Sequence, residues 1–151
     1  MHKTKKYALM TTVLISASLL YFGLNAETGG NIEYPDFETY GQTVYLPTYI
    51  PEGYTVNNVE LNGKIVSAMF ANDSDYIFFT QMRYSNAPSD VDNSNYATHK
   101  TKLGYTDGYL SEEGGRTLFI YYEGGYSFSI SGGLDKDELS KIVSSIKLYA
   151  Q

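Results

Sequence analysis

From about residue 42 onward the chain alternates apolar and polar positions in short runs, and most runs end in Gly, Asn or Asp. VNNVEL and KIVSAMF flank Asn62-Gly63, a pair that tolerates positive φ and predicts a hairpin. Within the first run Tyr54 and Val56 share one phase while Val59 and Leu61 share the other. That slip predicts a β-bulge at Asn57-Asn58. Asn72-Asp73-Ser74-Asp75 predicts a turn before YIFFTQMRY, which puts Tyr76, Phe78, Thr80, Met82 and Tyr84 on one face. Asp107-Gly108 and Gly114-Gly115 predict two more turns. RTLFIYY and YSFSIS flank Gly124-Gly125. In YSFSIS, Tyr126, Phe128 and Ile130 point one way and Ser127, Ser129 and Ser131 the other, the alternation of a sheet with one wet face.

The pattern then changes period. Leu139, Ile142, Val143 and Ile146 recur at helical spacing and form one apolar stripe. Asp135 predicts the N-cap, and Glu138 the reciprocal partner of a capping box. The fold class expected is α+β: an antiparallel β-meander sheet with a C-terminal helix packed on one face. A strand, a glycine pair and a helix also resemble the order of a phosphate loop. SGGLDKDEL, however, has neither G-x-G-x-x-G nor G-x-x-x-x-G-K-[ST]. Asp135, Asp137 and Glu138 crowd the positive end of the helix, where they stabilise it and repel phosphate. Gly132-Gly133 is therefore read as a structural strand-to-helix connection.

Three segments stand outside this pattern. MHKTKK is basic and precedes an uncharged apolar run over residues 7–26. That is the form of an export signal. Two readings stay open: a signal peptide cleaved near Ala26, or a retained hydrophobic helix that anchors the chain in the membrane. Both place the remainder outside the cytoplasm, secreted or tethered. Residues 27–41 are polar, acidic and glycine-rich and are read as a linker to a single domain over 42–151. Residues 85–99 (SNAPSDVDNSNYATH) are read as an irregular loop of mobile or functional type.

Composition narrows the function classes. An apolar content of 42% argues against general disorder. The absence of cysteine excludes disulfides, thiolate metal sites and a cysteine nucleophile. Beyond residue 26, 8 basic residues face 17 acidic ones, a net charge of −9. Such a domain does not suit nucleic acid, which requires clustered Lys and Arg.

No catalytic set emerges. His99 is the one histidine beyond residue 26, and no G-x-S-x-G elbow accompanies it. Asp73 with Asp75, and Asp90 with Asp92, offer oxygen ligands, but DVDNSN lacks the central glycine and closing glutamate of a calcium loop. No metal and no cofactor are expected. Tyrosine is the unusual feature, 16 residues with no tryptophan. Its plain reading is strand preference. Its sharper reading is a contact surface, with Tyr105, Tyr109, Tyr121 and Tyr122 as the candidate residues.

YLPTYIPEGYTVNNVELNG, the strand ending FFTQMRY, and GYLSEEGGRTLFIYYEGGYSFSISGGLDKDELSKIVSSIKL together resemble the bacterial domain of unknown function family 4367. The resemblance covers residues 45–148. It implies an extracytoplasmic domain of spore-forming and related bacteria, commonly placed after a single membrane span, and brings no catalytic residues. Family members often carry tryptophan where this chain has Phe119-Ile120-Tyr121. Only MHKTKK precedes the apolar run, so the cytoplasmic anti-sigma-like part of some members is not expected. The function expected is a non-enzymatic cell-envelope domain that binds a protein, peptide or wall component. The alternatives are an accessory subunit of a membrane signalling or sporulation system, and a secreted hydrolase with its site in residues 85–99.

Overall fold

The computed structural model describes residues 32–83 and 99–151. The apolar run 7–26, Tyr84 and the loop 85–99 up to its last residue lie outside them. In chain order the elements are β1 (Val44–Pro47), β2 (Thr55–Asn62), β3 (Ile65–Ala71), β4 (Tyr76–Arg83), β5 (His99–Leu103), β6 (Thr106–Glu113), β7 (Arg116–Glu123), β8 (Tyr126–Gly132), α1 (Lys136–Ser145) and β9 (Ile146–Ala150). The fold is α+β, mostly antiparallel sheet with one C-terminal helix.

Seven strands form one sheet in the order β2-β3-β4-β8-β7-β6-β5. The meander expected from the sequence is therefore broken once. Two shorter meanders meet where β8 pairs with β4 rather than lying at an edge. That pairing is non-local, and no local turn signal encodes it. The predicted bulge is present, with the β2–β3 register shifting between Val56 and Asn58.

Turn positions need two corrections. The β2–β3 pairing closes at Asn62↔Ile65, so the two turn residues are Gly63 and Lys64, one position later than expected. Asp107-Gly108 is not a turn but lies inside β6. The β5–β6 turn is Gly104-Tyr105, closed by Leu103↔Thr106. Gly108 serves packing, since a Cβ there would lie 2.4 Å from Phe119 Cζ and 2.6 Å from the Ile120 carbonyl. At Gly124-Gly125 both residues have positive φ, 58° and 85°, the pattern of the turn whose twist matches a hairpin.

The helix covers one face of the sheet with Leu139, Ile142 and Val143. Ile146 does not extend the helical stripe. It caps the helix, its N–H donating to the Val143 carbonyl, and opens β9. β9 pairs with β1 in a separate two-stranded ribbon. Half of the capping box forms: Asp135 Oδ1 accepts from the Glu138 N–H at 2.8 Å. The Glu138 carboxylate instead accepts from Tyr49 Oη at 2.5 Å and Lys141 Nζ at 2.8 Å.

The core lies between this layer and the sheet. Phe70, Ile77, Phe79, Leu110, Phe119 and Ile130 from the sheet meet Val44 and Leu46 from β1 and Leu139 and Ile142 from α1. Each such side chain stabilises the fold by about 1.5–3 kcal/mol on burial. Gln81 is the buried polar exception on β4. Its Nε2 donates to the Thr43 carbonyl at 2.8 Å, and its Oε1 accepts from the Tyr45 N–H at 2.7 Å. The ribbon is thus pinned to the sheet through β1.

Residues 32–41, within the segment read as a linker, form no helix or strand but are docked on the domain. Ile32, Tyr34 and Phe37 pack against the core. Tyr34 Oη donates to the Pro47 carbonyl at 2.5 Å, and Phe37 stacks on Tyr149 with centroids 5.5 Å apart. Polar composition had concealed the three apolar side chains that hold it.

Candidate functional site

The opposite face of the seven-stranded sheet carries none of α1, β1 or β9. Its side chains follow from strand alternation and register. β8 contributes Ser127, Ser129 and Ser131, a lane of small hydroxyls down the middle. β4 lies on one side with Tyr76, Phe78, Thr80 and Met82. β7 lies on the other with Leu118, Ile120 and Tyr122. Thr80 Oγ1 and Ser129 Oγ are 2.6 Å apart, one bridge from the wall to the lane. Beyond β4, β3 adds Ile65 and Met69, and beyond β7, β6 adds Tyr109 and Ser111.

Several of these apolar groups stand in solvent. Ile65 is 41% exposed, Tyr76 43% and Phe78 40%. Tyr76 and Phe78 meet edge to face at 5.0 Å, and the Arg116 guanidinium lies 4.1 Å over the Tyr76 ring. Arg116 also donates to Asp75 Oδ1 at 2.9 Å and to the Tyr76 carbonyl at 3.0 Å. Arg116 thus ties the start of β7 to the start of β4 at that end of the face. At the other end Lys100 Nζ lies 5.8 Å over the Tyr109 ring.

The four tyrosines singled out in the sequence do not form one surface. Tyr109 and Tyr122 are half-buried on the open face, and Tyr109 pairs with Ile120, which makes the two tyrosines diagonal neighbours. Tyr105 is 98% exposed at the β5–β6 turn, next to Gly104, whose backbone lies near Ser140 and Ser144 of α1. Tyr121 belongs to the covered face. It is only 2% exposed, stacks on Phe128 at 4.9 Å and faces the helix layer, so it is a core residue and not part of the open surface. Burial, then the nearby Glu123 carboxylate, push its hydroxyl well above the ordinary tyrosine range. RTLFIYY is apolar on both faces, and alternation alone could not say which tyrosine pointed inward.

Sequence reasoning missed the contribution of β3 and β4 to this face. The grouping of Tyr76, Phe78 and Met82 on one side was legible, but Ile77 and Phe79 on the other side are equally apolar. His99 opens β5, exposed, and Asp92 lies outside the described residues. Asp75 is engaged by Arg116, Tyr54 and the Gly133 N–H. Among the described residues no helix is long and apolar enough to cross a membrane.

A solved structure from Bacteroides thetaiotaomicron VPI-5482 is similar over 68% of this chain, with 18% identity and a TM-score of 0.47. This chain spans 44% of that one, and a likeness of this degree carries no functional argument. No curated protein matches the sequence. The family described as Domain of unknown function (DUF4367) matches residues 44–146, and the chain belongs to that family.

Proposed function

We propose that this protein is a non-enzymatic, extracytoplasmic domain that binds an extended segment of a protein partner in the cell envelope across its open sheet face. The observation that carries the reading is the serine lane of β8 between the larger side chains of β4 and β7. Two strand spacings separate those walls, about 9–10 Å, which is room for one extended chain. Phe78, Ile120 and Tyr122 offer apolar contact, and Ser127, Ser129 and Ser131 offer hydrogen bonds along the floor. Residues 7–26 direct export and end either as a cleaved signal peptide or as a membrane anchor. If the anchor is retained, the same surface serves an accessory subunit within a membrane assembly.

The test is site-specific photocrosslinking in cells. A photoreactive residue at Phe78 or Ile120 is expected to yield a discrete adduct, and one at the exposed Ser144 of α1 none. Equal adducts from both sides of the domain contradict the reading.

A further inference from the structure

On the covered side, at the end of the sheet where β7 turns into β8, a cleft of about 280 Å³ opens between the sheet and the helix layer. Tyr45, Tyr121, Tyr126 and Phe128 supply four aromatic rings to it. Tyr45 meets Tyr126 edge to face at 5.6 Å and Phe128 at 6.0 Å, while Tyr121 stacks on Phe128. Tyr121 stacks on both Phe119 and Phe128 and is buried with Phe128, so Tyr121 and Phe128 form the floor, while the half-buried Tyr45 and Tyr126 form the sides. Val143 and Ile146 add aliphatic wall. The remaining side chain is a carboxylate, Glu123. Strand alternation puts Glu123 on the same face as Tyr121, and register sets it opposite Tyr126 across the turn. It is exposed, at the mouth of the cleft.

Negative ring faces attract cations, and a carboxylate at the rim adds a full negative charge. Apolar walls suit the methyl or methylene groups an organic cation carries, whereas a metal ion such as calcium needs roughly six or more oxygen ligands and the lining offers a single carboxylate. The surrounding domain is acidic, which raises the local concentration of cations. We infer that this cleft is a binding site for an organic ammonium group, held by the half-buried rings of Tyr45 and Tyr126 above a floor of Tyr121 and Phe128 and neutralised by Glu123. The ammonium arrives either on a free small molecule or on the lysyl side chain of a peptide. The site lies on the other side of the sheet from the open face and stands independently of it.

The test uses the full-length chain in a non-ionic detergent. Choline, butylammonium, a lysine-containing peptide and the same peptide acetylated on Nζ are titrated, with the tyrosine ring signals as the readout. The uncharged carbon analogue of choline, in which tert-butyl replaces trimethylammonium, is the control. At least one cation is expected to shift the Tyr45, Tyr121 and Tyr126 signals, and the uncharged analogue to bind about tenfold more weakly. Glu123→Gln, at an exposed position, is expected to keep the fold by circular dichroism and to weaken cation binding about fivefold. Binding of the lysyl but not the acetylated peptide identifies a peptide source; binding of the free amines alone identifies a small molecule. No shift with any cation, equal binding of the uncharged analogue, or unchanged affinity in Glu123→Gln overturns the inference. Crosslinking from Phe78 in the Glu123→Gln protein reports the open face separately.

Discussion

The Asp75 carboxylate occupies the space that a side chain on Gly133 would need. Its Oδ2 accepts from the Gly133 N–H at 3.1 Å and would lie 2.6 Å from a Cβ placed there. The same carboxylate accepts from Tyr54 Oη at 2.9 Å and Arg116 Nη1 at 2.9 Å, which ties the β3–β4 turn to β7 and to the start of the helix connection. Gly133→Ala is therefore expected to destabilise the domain by about 1–3 kcal/mol, because that oxygen is held from several sides and cannot move aside freely. Urea denaturation of the variant against wild type measures it.

The acid response follows from the same carboxylate. Burial raises its pKa, but hydrogen bonds from the Tyr76 backbone, Tyr54, Arg116 and Gly133 outweigh burial and leave it below the ordinary value of 3.8. A depressed folded pKa contributes stability that is fully present above the unfolded value and is lost as pH falls through the folded one. The wild type's advantage over Asp75→Asn is expected to hold near neutrality and to shrink as pH falls below about 4. Denaturation midpoints for both proteins across that range check the sign.

Gln81 anchors the ribbon by accepting one backbone bond and donating another. Gln81→Leu keeps the volume nearly constant but strands the Tyr45 N–H and the Thr43 carbonyl. The expected cost is about 2–4 kcal/mol, from two part-buried backbone groups left without partners. Hydrogen exchange should show faster opening of β1 and β9 than of the central strands.

Local chemistry made some of this fold readable and distance hid the rest. Asn57-Asn58 announced a bulge because two apolar phases collide there, and Gly124-Gly125 announced a turn because both residues take positive φ. Gly108 looked like the same kind of signal, yet it exists to let Phe119 lie against β6, a contact between different strands. Ile146 fitted the helical period by spacing, but its pairing with Pro47 draws it into β9. Tyr121 and Tyr122 are neighbours of one type, and only the position of α1 decides which is core. The aromatic cleft was invisible for the same reason, since Tyr45 is far from Glu123 in the chain.

The two glycine roles predict opposite tolerances. Gly108→Ala is expected to cost about 2–4 kcal/mol by driving a Cβ into Phe119 and the Ile120 carbonyl. Gly124→Asn meets open space and retains positive φ, so it is expected to cost less than about 1 kcal/mol. Melting temperatures of the two variants decide between packing and turn roles.

If the open face of the sheet seats the extended partner segment, crosslinks to that segment form there and not on the outer side of α1. The most direct measurement is photocrosslinking in cells from Phe78 and Ile120, compared with Ser144, followed by mass identification of the adducts. One protein partner is expected at the open-face positions, lost when Ser129→Lys fills the serine lane. The same adduct from Ser144, or its survival in Ser129→Lys, would overturn the assignment of the open face.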